Sequence, residues 1–221
     1  MNAHAFSFHG HALEALPSGA LWWPAQSLLC VSDLHLGKAG RIARRAGPLV
    51  PPYETKDTLT RLETALTVTG ARQVICLGDS FDDLDAAGGL SEAETLWIAR
   101  LQAGRRWIWI EGNHDPGPLR LGGEHRLEHH CDGLTFRHIA QPGAMAEVSG
   151  HYHPKTRVQA RGRSITRPSF LVAANRLILP AFGTYTGGLF SHDPLFEALL
   201  APPGFALLTG QRTTCVPMRS K

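Results

Sequence analysis

An α/β fold is predicted from three observations. Apolar runs at 28–32, 73–77 and 107–111 read as buried strands, and each runs into a polar or Gly-Asp motif. Between them, stretches at 55–69 and 91–103 read as helices, a strand–loop–helix order that argues for an α/β core. The carboxyl half then turns strand-rich, without a clean linker or internal repeat, so the 221 residues read as one domain, 1–221.

Taken in order, residues 5–24 alternate loosely (Phe6, Phe8, Leu13, Leu16, Leu21, Trp22) and suggest short strands and turns at an edge. The run 28–32 ends at Asp33, and 39–54, rich in Arg, Gly and Pro, reads as an ordered loop. Leu59, Leu62 and Leu66 fall at helical spacing and Gly70 is the expected stop. In the next helix Ser91 and Glu94 have the spacing of a capping box, and Gly104 follows. Beyond it, 125–130 and 134–138 flank Cys131-Asp132-Gly133 as a hairpin, and 145–149 is a short strand ending at Gly150-His151. Further pairs are expected at 156–160 with 164–167, 170–173 with 176–179, and 205–208 with 213–216.

Composition narrows the class. With 43% hydrophobic and 19% charged residues the chain has enough apolar surface to offset backbone ordering, which excludes disorder. Cys30 and Cys76 sit in apolar runs and read as small buried hydrophobes; no cysteine pair has CxxC spacing, and a disulfide scaffold is not expected. The first residues lack the basic start and apolar core of a signal peptide, and no apolar run would span a bilayer, so the expected compartment is the cytoplasm. Net charge is only +3, but 18 of the 22 basic residues are Arg, whose planar fork suits carboxylate or phosphate partners. Twelve His point to a metal or acid–base site.

Five short motifs carry the chemistry: Asp33-x-His35, Gly78-Asp79, Gly112-Asn113-His114-Asp115, His138 and Gly150-His151-x-His153. Singly each is weak, and His138 alone reads as an ordinary strand residue. Jointly, each follows or ends a predicted strand, so they could meet at one rim of a sheet. Their donors are carboxylate, imidazole and amide without thiolate, which suits Mn, Fe or Zn. They outnumber what one ion needs, and two ions sharing a bridging carboxylate would account for them.

The pattern D-x-H, G-D-x-x-D, G-N-H-D/E, a lone His and G-H-x-H resembles that of the calcineurin-like metallophosphoesterases, matched here by DLH at 33–35, GDSFDD at 78–83, GNHD at 112–115, His138 and GHYH at 150–153. SDLHLGK at 32–38, GHYHP at 150–154 and RLILPAFGTYTGG at 176–188 resemble more narrowly the bacterial DNA ligase-associated branch. The resemblance implies a four-layer α/β/β/α sandwich, two mixed sheets flanked by helices. It implies that Asp33, His35 and His153 hold one divalent ion, that Asn113, His138 and His151 hold a second, and that Asp79 bridges them. Mn is the expected metal, with Fe and Zn as alternatives. His114 would sit by the leaving oxygen as the catalytic residue, stabilising or protonating it, and Asp82 would orient it.

One departure stands out. Asp83 occupies a position that is Arg in many phosphoprotein phosphatases of the superfamily, and the cluster Asp82, Asp83, Asp85 makes a poor pocket for a dianionic phosphomonoester. A diester fits better, although a solvated acidic loop is an equal reading of Asp83 and Asp85. Two basic regions follow metal motifs: Lys38, Arg41, Arg44 and Arg45, then Lys155, Arg157, Arg161, Arg163, Arg167 and Arg176. They are candidates for contact with a nucleic-acid backbone, against the alternative of a solvated rim. Phe81 is the expected base-stacking ring, Thr184, Tyr185 and Thr186 the expected groove lining, and Trp22, Trp23, Trp107 and Trp109 are assigned to packing.

The expected function is a dimetal phosphodiesterase or nuclease acting on DNA. The resemblance adds DNA repair beside a DNA ligase and a helicase-like protein. The alternatives are a small-molecule phosphoesterase, for cyclic nucleotides or nucleotide derivatives, and a metal-stabilised scaffold without activity.

Overall fold

The structure, a computed structural model, describes residues 2–39, 53–83, 86, 88–117, 121–160 and 162–218. Seven strands form the first sheet in chain order: β1 (His4–Phe8), β2 (His11–Ala15), β3 (Leu21–Trp23), β4 (Leu28–Val31), β5 (Gln73–Leu77), β6 (Arg106–Ile110) and β7 (Glu124–Arg126). The first four pair antiparallel and the last four parallel. Helix α1 (Glu54–Thr69) lies between β4 and β5 in the chain, and α2 (Glu92–Gln102) between β5 and β6. Gly70 closes α1 in the left-handed conformation, and both halves of the Ser91–Glu94 capping box form at the start of α2.

The second sheet contains β8 (Glu128–Cys131), β9 (Leu134–Arg137), β10 (Glu147–Ser149), β11 (Lys155–Ala160), β12 (Arg163–Ala173), β13 (Arg176–Ile178), β14 (Gly204–Leu208) and β15 (Thr214–Pro217). Its order is β15-β14-β12-β13-β10-β9-β8, with β11 on β12. Strands β9, β10 and β13 run parallel. Both sheets are therefore mixed, and each has a parallel segment whose strands end in the motifs at Asp33, Asp79, Gly112, His138 and Gly150.

Alternation along the strands produces the layers. In β4, Leu28 and Cys30 face the second sheet, while Leu29 and Val31 face the helices. The inter-sheet core joins Trp23, Ile75 and Ile108 to Phe136, Phe170 and Leu177. The outer core of the first sheet packs Leu59, Leu62, Leu66, Ile98 and Leu101 against Val74, Trp107 and Trp109. On the far side, a short helix α3 (Pro194–Leu199) sets Phe196 against Leu171, Ile178 and Ala206. This is the α/β/β/α sandwich. Trp22, Trp23, Trp107 and Trp109 are all buried, and all four cysteines are free thiols.

Three expectations are corrected. The stretch 125–130 is split into β7 and β8, which belong to different sheets, with the exposed Leu127 between them. The stretches 164–167 and 170–173 are one strand, β12, which pairs through Pro168. Helix α3 stands where no element was expected: Asp193 caps it by accepting from the Leu195 N–H, and Pro194 occupies its first turn.

Candidate metal centre

The loops after β4 and β5 are zipped beyond the strands themselves. His35 N–H donates to the Asp79 carbonyl at 2.9 Å, Leu36 N–H to that of Ser80 at 2.9 Å, and Asp82 N–H to that of Leu36 at 3.1 Å. The tract after β13 joins them, with Gly183 N–H donating to the Asp33 carbonyl at 3.0 Å. His151 N–H donates to Asp33 Oδ2 at 3.0 Å, which ties the second sheet to the first. Ser32 Oγ also donates to Asp33 Oδ2.

Such close loops require small residues and unusual backbone. A Cβ on Gly78 (φ 69°) would lie 2.5 Å from His138 Nδ1, and one on Gly112 would overlap Asp79. Five candidate ligands adopt left-handed backbone: Asp33 (φ 53°), His35 (45°), Asp79 (45°), His151 (72°) and His153 (46°). Non-glycine residues pay of order 1–3 kcal/mol for strained backbone, which persists where the surroundings impose it, often at functional sites.

Two clusters result. Asp33, His35 and His153 form one, with His153 Nε2 3.4 Å from His35 Nε2 and 3.2 Å from Asp33 Oδ1. Asp79, His138 and His151 form the other. His138 Nδ1 lies 2.8 Å from the Leu77 carbonyl and donates to it. That fixes the tautomer, so in the neutral ring Nε2 carries a lone pair. Around Nε2 stand Asn113 Oδ1 at 3.1 Å, His151 Nδ1 at 3.2 Å and Asp79 Oδ2 at 3.3 Å. The site therefore brings together all seven residues assigned to metals by resemblance.

This crowding of lone pairs is the test of fit. Acceptors packed at such distances repel unless a positive charge sits among them, and carboxylate, imidazole and amide donors suit a divalent first-row ion. In the metal-free protein a proton takes that place. Burial opposes charge on His138, but Asp79 and Asp33 outweigh it and raise its pKa to about 9. Burial also opposes charge on Asp79, yet its bond with His138 prevails and its pKa falls to about 2. Asp33, wholly buried, is held below the usual carboxylate range by His153 and His138. His151 is pushed down by burial and by His138.

The surrounding groups differ from expectation in detail. His114 Nδ1 lies 2.9 Å from the main-chain carbonyl of Asp82, whereas the Asp82 carboxylate sits 2.9 Å from His35 Nδ1 and 3.8 Å from Lys38 Nζ. Asp82 therefore contacts the expected acid through its backbone and a candidate ligand through its side chain. His35, Asp82 and His114 form a third convergent group. Asp115, which the sequence reading left without a role, accepts from Ser80 and Phe81 N–H at 2.8 and 3.1 Å and from Gly112 N–H at 3.1 Å. Burial, offset in part by these amides, raises its pKa to about 6. Its place directly after His114 was the available signal.

A model of the calcineurin-like phosphoesterase family matches residues 27–168, close to two thirds of the chain and all five of the motifs that carry the chemistry. The chain belongs to the calcineurin-like phosphoesterase family. Members hydrolyse phosphoesters at a dimetal centre, and the clusters are placed to provide one. The crystal structure of Pseudomonas putida nuclease MPE is similar, with a TM-score of 0.78 and 28% identity over 98% of this chain and 100% of that one. No curated protein matches the sequence. Among the described residues no helix is long and apolar enough to cross a membrane.

Several residues expected to contact substrate are placed otherwise in this phosphoesterase. Phe81 is fully buried against Trp109, so it offers no stacking surface: its bridge to Leu36 turns the ring into the core. Arg176 is also buried, 2.9 Å from Glu147 and bonded to the Leu199 and Gln141 carbonyls, which removes it from the basic rim. Lys38 is turned toward Asp82. The Thr184 hydroxyl is held by Asp57 at 2.6 Å and Arg61 at 2.9 Å. Tyr185 is exposed and tilted against Tyr53 on the rim. Lys155 and Arg157 both lie 4.7 Å from the Phe190 ring centre. Asp83 Oδ1 accepts from Ala86 N–H at 2.7 Å, a turn-forming use of that acid. Arg41, Arg44, Arg45, Asp85 and Arg161 lie outside the described residues.

Proposed function

We propose that this phosphoesterase is a dimetal phosphodiesterase that cleaves DNA, with Mn as its working metal. The observation that carries the reading is the convergence of two acceptor clusters around His35, His138 and His153, with the imidazole of His114 beside them. The structural similarity to a nuclease supports a nucleic acid as the polymer, and DNA is proposed from the motif resemblance. When bound, the ions supply positive charge at the phosphoryl oxygens and acidify water for attack.

The chain supplies the rest. Asp33 and Asp79 would hold the ions and offset their charge. With Nδ1–H donated to the Asp82 carbonyl, His114 acts in its imidazolium form: Nε2 passes its proton to the leaving oxygen and the ring is left neutral. The acidic Asp82 beside the site disfavours a phosphomonoester dianion more than a diester monoanion. Action in DNA repair and association with a DNA ligase and a helicase-like protein are part of the same proposal and rest on the resemblance of 32–38, 150–154 and 176–188; a cytoplasmic location is proposed with them.

The test is to chelate the protein, reload it with Mn, and assay bis-nitrophenyl phosphate and then single-stranded and nicked DNA. Turnover of both is expected. No turnover with Mn would overturn the enzymatic reading. Turnover of the model diester, without DNA cleavage or salt-sensitive DNA binding, would replace DNA with a small-molecule substrate.

A further inference from the structure

A groove leads away from the metal centre, and three cations line it, of which Arg61 is paired with Asp57. A hollow of about 160 Å³ opens beside His153 and is lined by Lys155, Thr166 and Thr186. It shares Pro168, Ala181 and Thr186 with a larger groove of about 390 Å³ that continues past Arg167 and Arg61 to Ser18. Three cations thus follow one path that begins at a candidate metal ligand. Lys155 rests over Phe190, and neither it nor Arg167 has a carboxylate partner among the described residues.

Arg61 is fixed. Its guanidinium lies 4.8 Å from the Phe182 ring centre, Nε donates to Asp57 at 3.0 Å and Nη2 to Thr184 at 2.9 Å. Among the described residues nothing bonds Nη1. Held by an aromatic face and two hydrogen bonds, it loses little freedom on meeting an anion. The neutral part of the wall, Gly183 and Thr186, belongs to the tract that also bonds Asp33, so the groove wall and the site are joined through the backbone.

We infer that this groove, through Lys155, Arg167 and Arg61, holds the phosphates flanking the scissile one on one side of a nucleic-acid strand. The inference rests on the proposed phosphodiesterase activity. It separates the basic residues into those that face the groove and those that do not: Arg176 is buried, Lys38 faces Asp82, and Arg157 lines a different hollow beside β15. A small diester reaches the metals without entering the groove, so groove variants discriminate between substrates by length.

The experiment uses the full-length Mn-loaded enzyme and its Arg167→Glu, Arg167→Ala and Arg61→Gln variants. Each is assayed on bis-nitrophenyl phosphate and on a 20-nucleotide oligomer across a salt series. Loss of one phosphate contact at 0.1 M salt is worth about five- to eightfold, since each contact releases roughly 0.7–0.9 of a counterion. The expected result is a fall of about that size in the ratio of oligomer to model-diester kcat/KM, carried by KM, with a shallower salt slope. Among the described residues the Arg167 side chain makes no hydrogen bond or ion pair that its loss would break, so Arg167→Glu tests the groove even if Arg61→Gln disturbs Asp57 and Thr184. An unchanged ratio and salt slope in Arg167→Glu would overturn the groove while leaving the phosphodiesterase reading intact. An inactive wild type on both substrates would overturn both.

Discussion

His114 shows how much one side chain's position says about chemistry. Its ring meets His35 edge-on, with centroids 5.3 Å apart, and its Nδ1 is tied to the Asp82 carbonyl. It therefore stands beside the metal ligands without belonging to either of the clusters assigned to the two ions. Replacing His114 with Ala is expected to cut kcat by about 10²–10⁴, the usual worth of a positioned acid. Metal content by elemental analysis should stay unchanged; loss of metal would make His114 a ligand. The residue types of the site were legible because carboxylates and imidazoles at strand ends have few other uses. Orientation was not legible. Whether Asp82 presents its carboxylate or its carbonyl to His114, and whether Phe81 points outward, depends on the zipped backbone of two loops that are 45 residues apart in the chain (Asp33 to Gly78). Arg176 looked like a rim cation because its partner, Glu147, is distant in sequence and neighbouring only through the pairing of β10 with β13.

At the scale of elements, periodicity and caps specified the amino half. Leu59, Leu62 and Leu66 face the sheet, and Ser91 and Glu94 cap α2 as their spacing requires. The carboxyl half was harder because its strands are short and its signals local. Pro168 reads as a strand break, yet it pairs with Lys155 inside β12, and α3 offers only Phe196 as a buried anchor. The same contrast separates two substitutions. Ser91→Ala removes an exposed cap and should cost about 1 kcal/mol of stability with metal content intact. Asp115→Ala leaves the amides of Gly112, Ser80 and Phe81 without their acceptor, at about 1–3 kcal/mol for each one left buried. Denaturant melts and elemental analysis should show a much larger loss in Asp115→Ala, with metal lost as well. Equal losses would mean that Asp115 does not organise the site.

For the whole molecule, the two sheets meet so that the parallel segment of each ends at one place, and the excess of acceptors there makes stability depend on proton or metal. In the metal-free protein His138 is raised from 6.5 to about 9. Its contribution is therefore complete below pH 6.5 and lost as pH climbs through 9. Asp79 is lowered from 3.8 to about 2, so its contribution is complete above pH 3.8 and lost as pH falls toward 2. These are one interaction seen from its two ends, worth roughly 3 kcal/mol. Thermal melts of chelated protein should show Tm falling between pH 6.5 and 9, and metal-loaded protein should not show that fall. A Tm of the chelated protein that is flat across this range would mean that no proton fills the gap. The sandwich itself was legible only through the motif resemblance, because periodicity gives strands and helices but not which sheet each strand joins.

The most direct test is elemental analysis of chelated protein reloaded with Mn, for the wild type and for Asp79→Asn. Two ions per chain in the wild type, and fewer than two at the same free Mn in Asp79→Asn, are expected if Asp79 is shared between the two clusters. A wild type that takes up one ion or none, or an Asp79→Asn protein that keeps both with unchanged affinity, would contradict a centre built around Asp79.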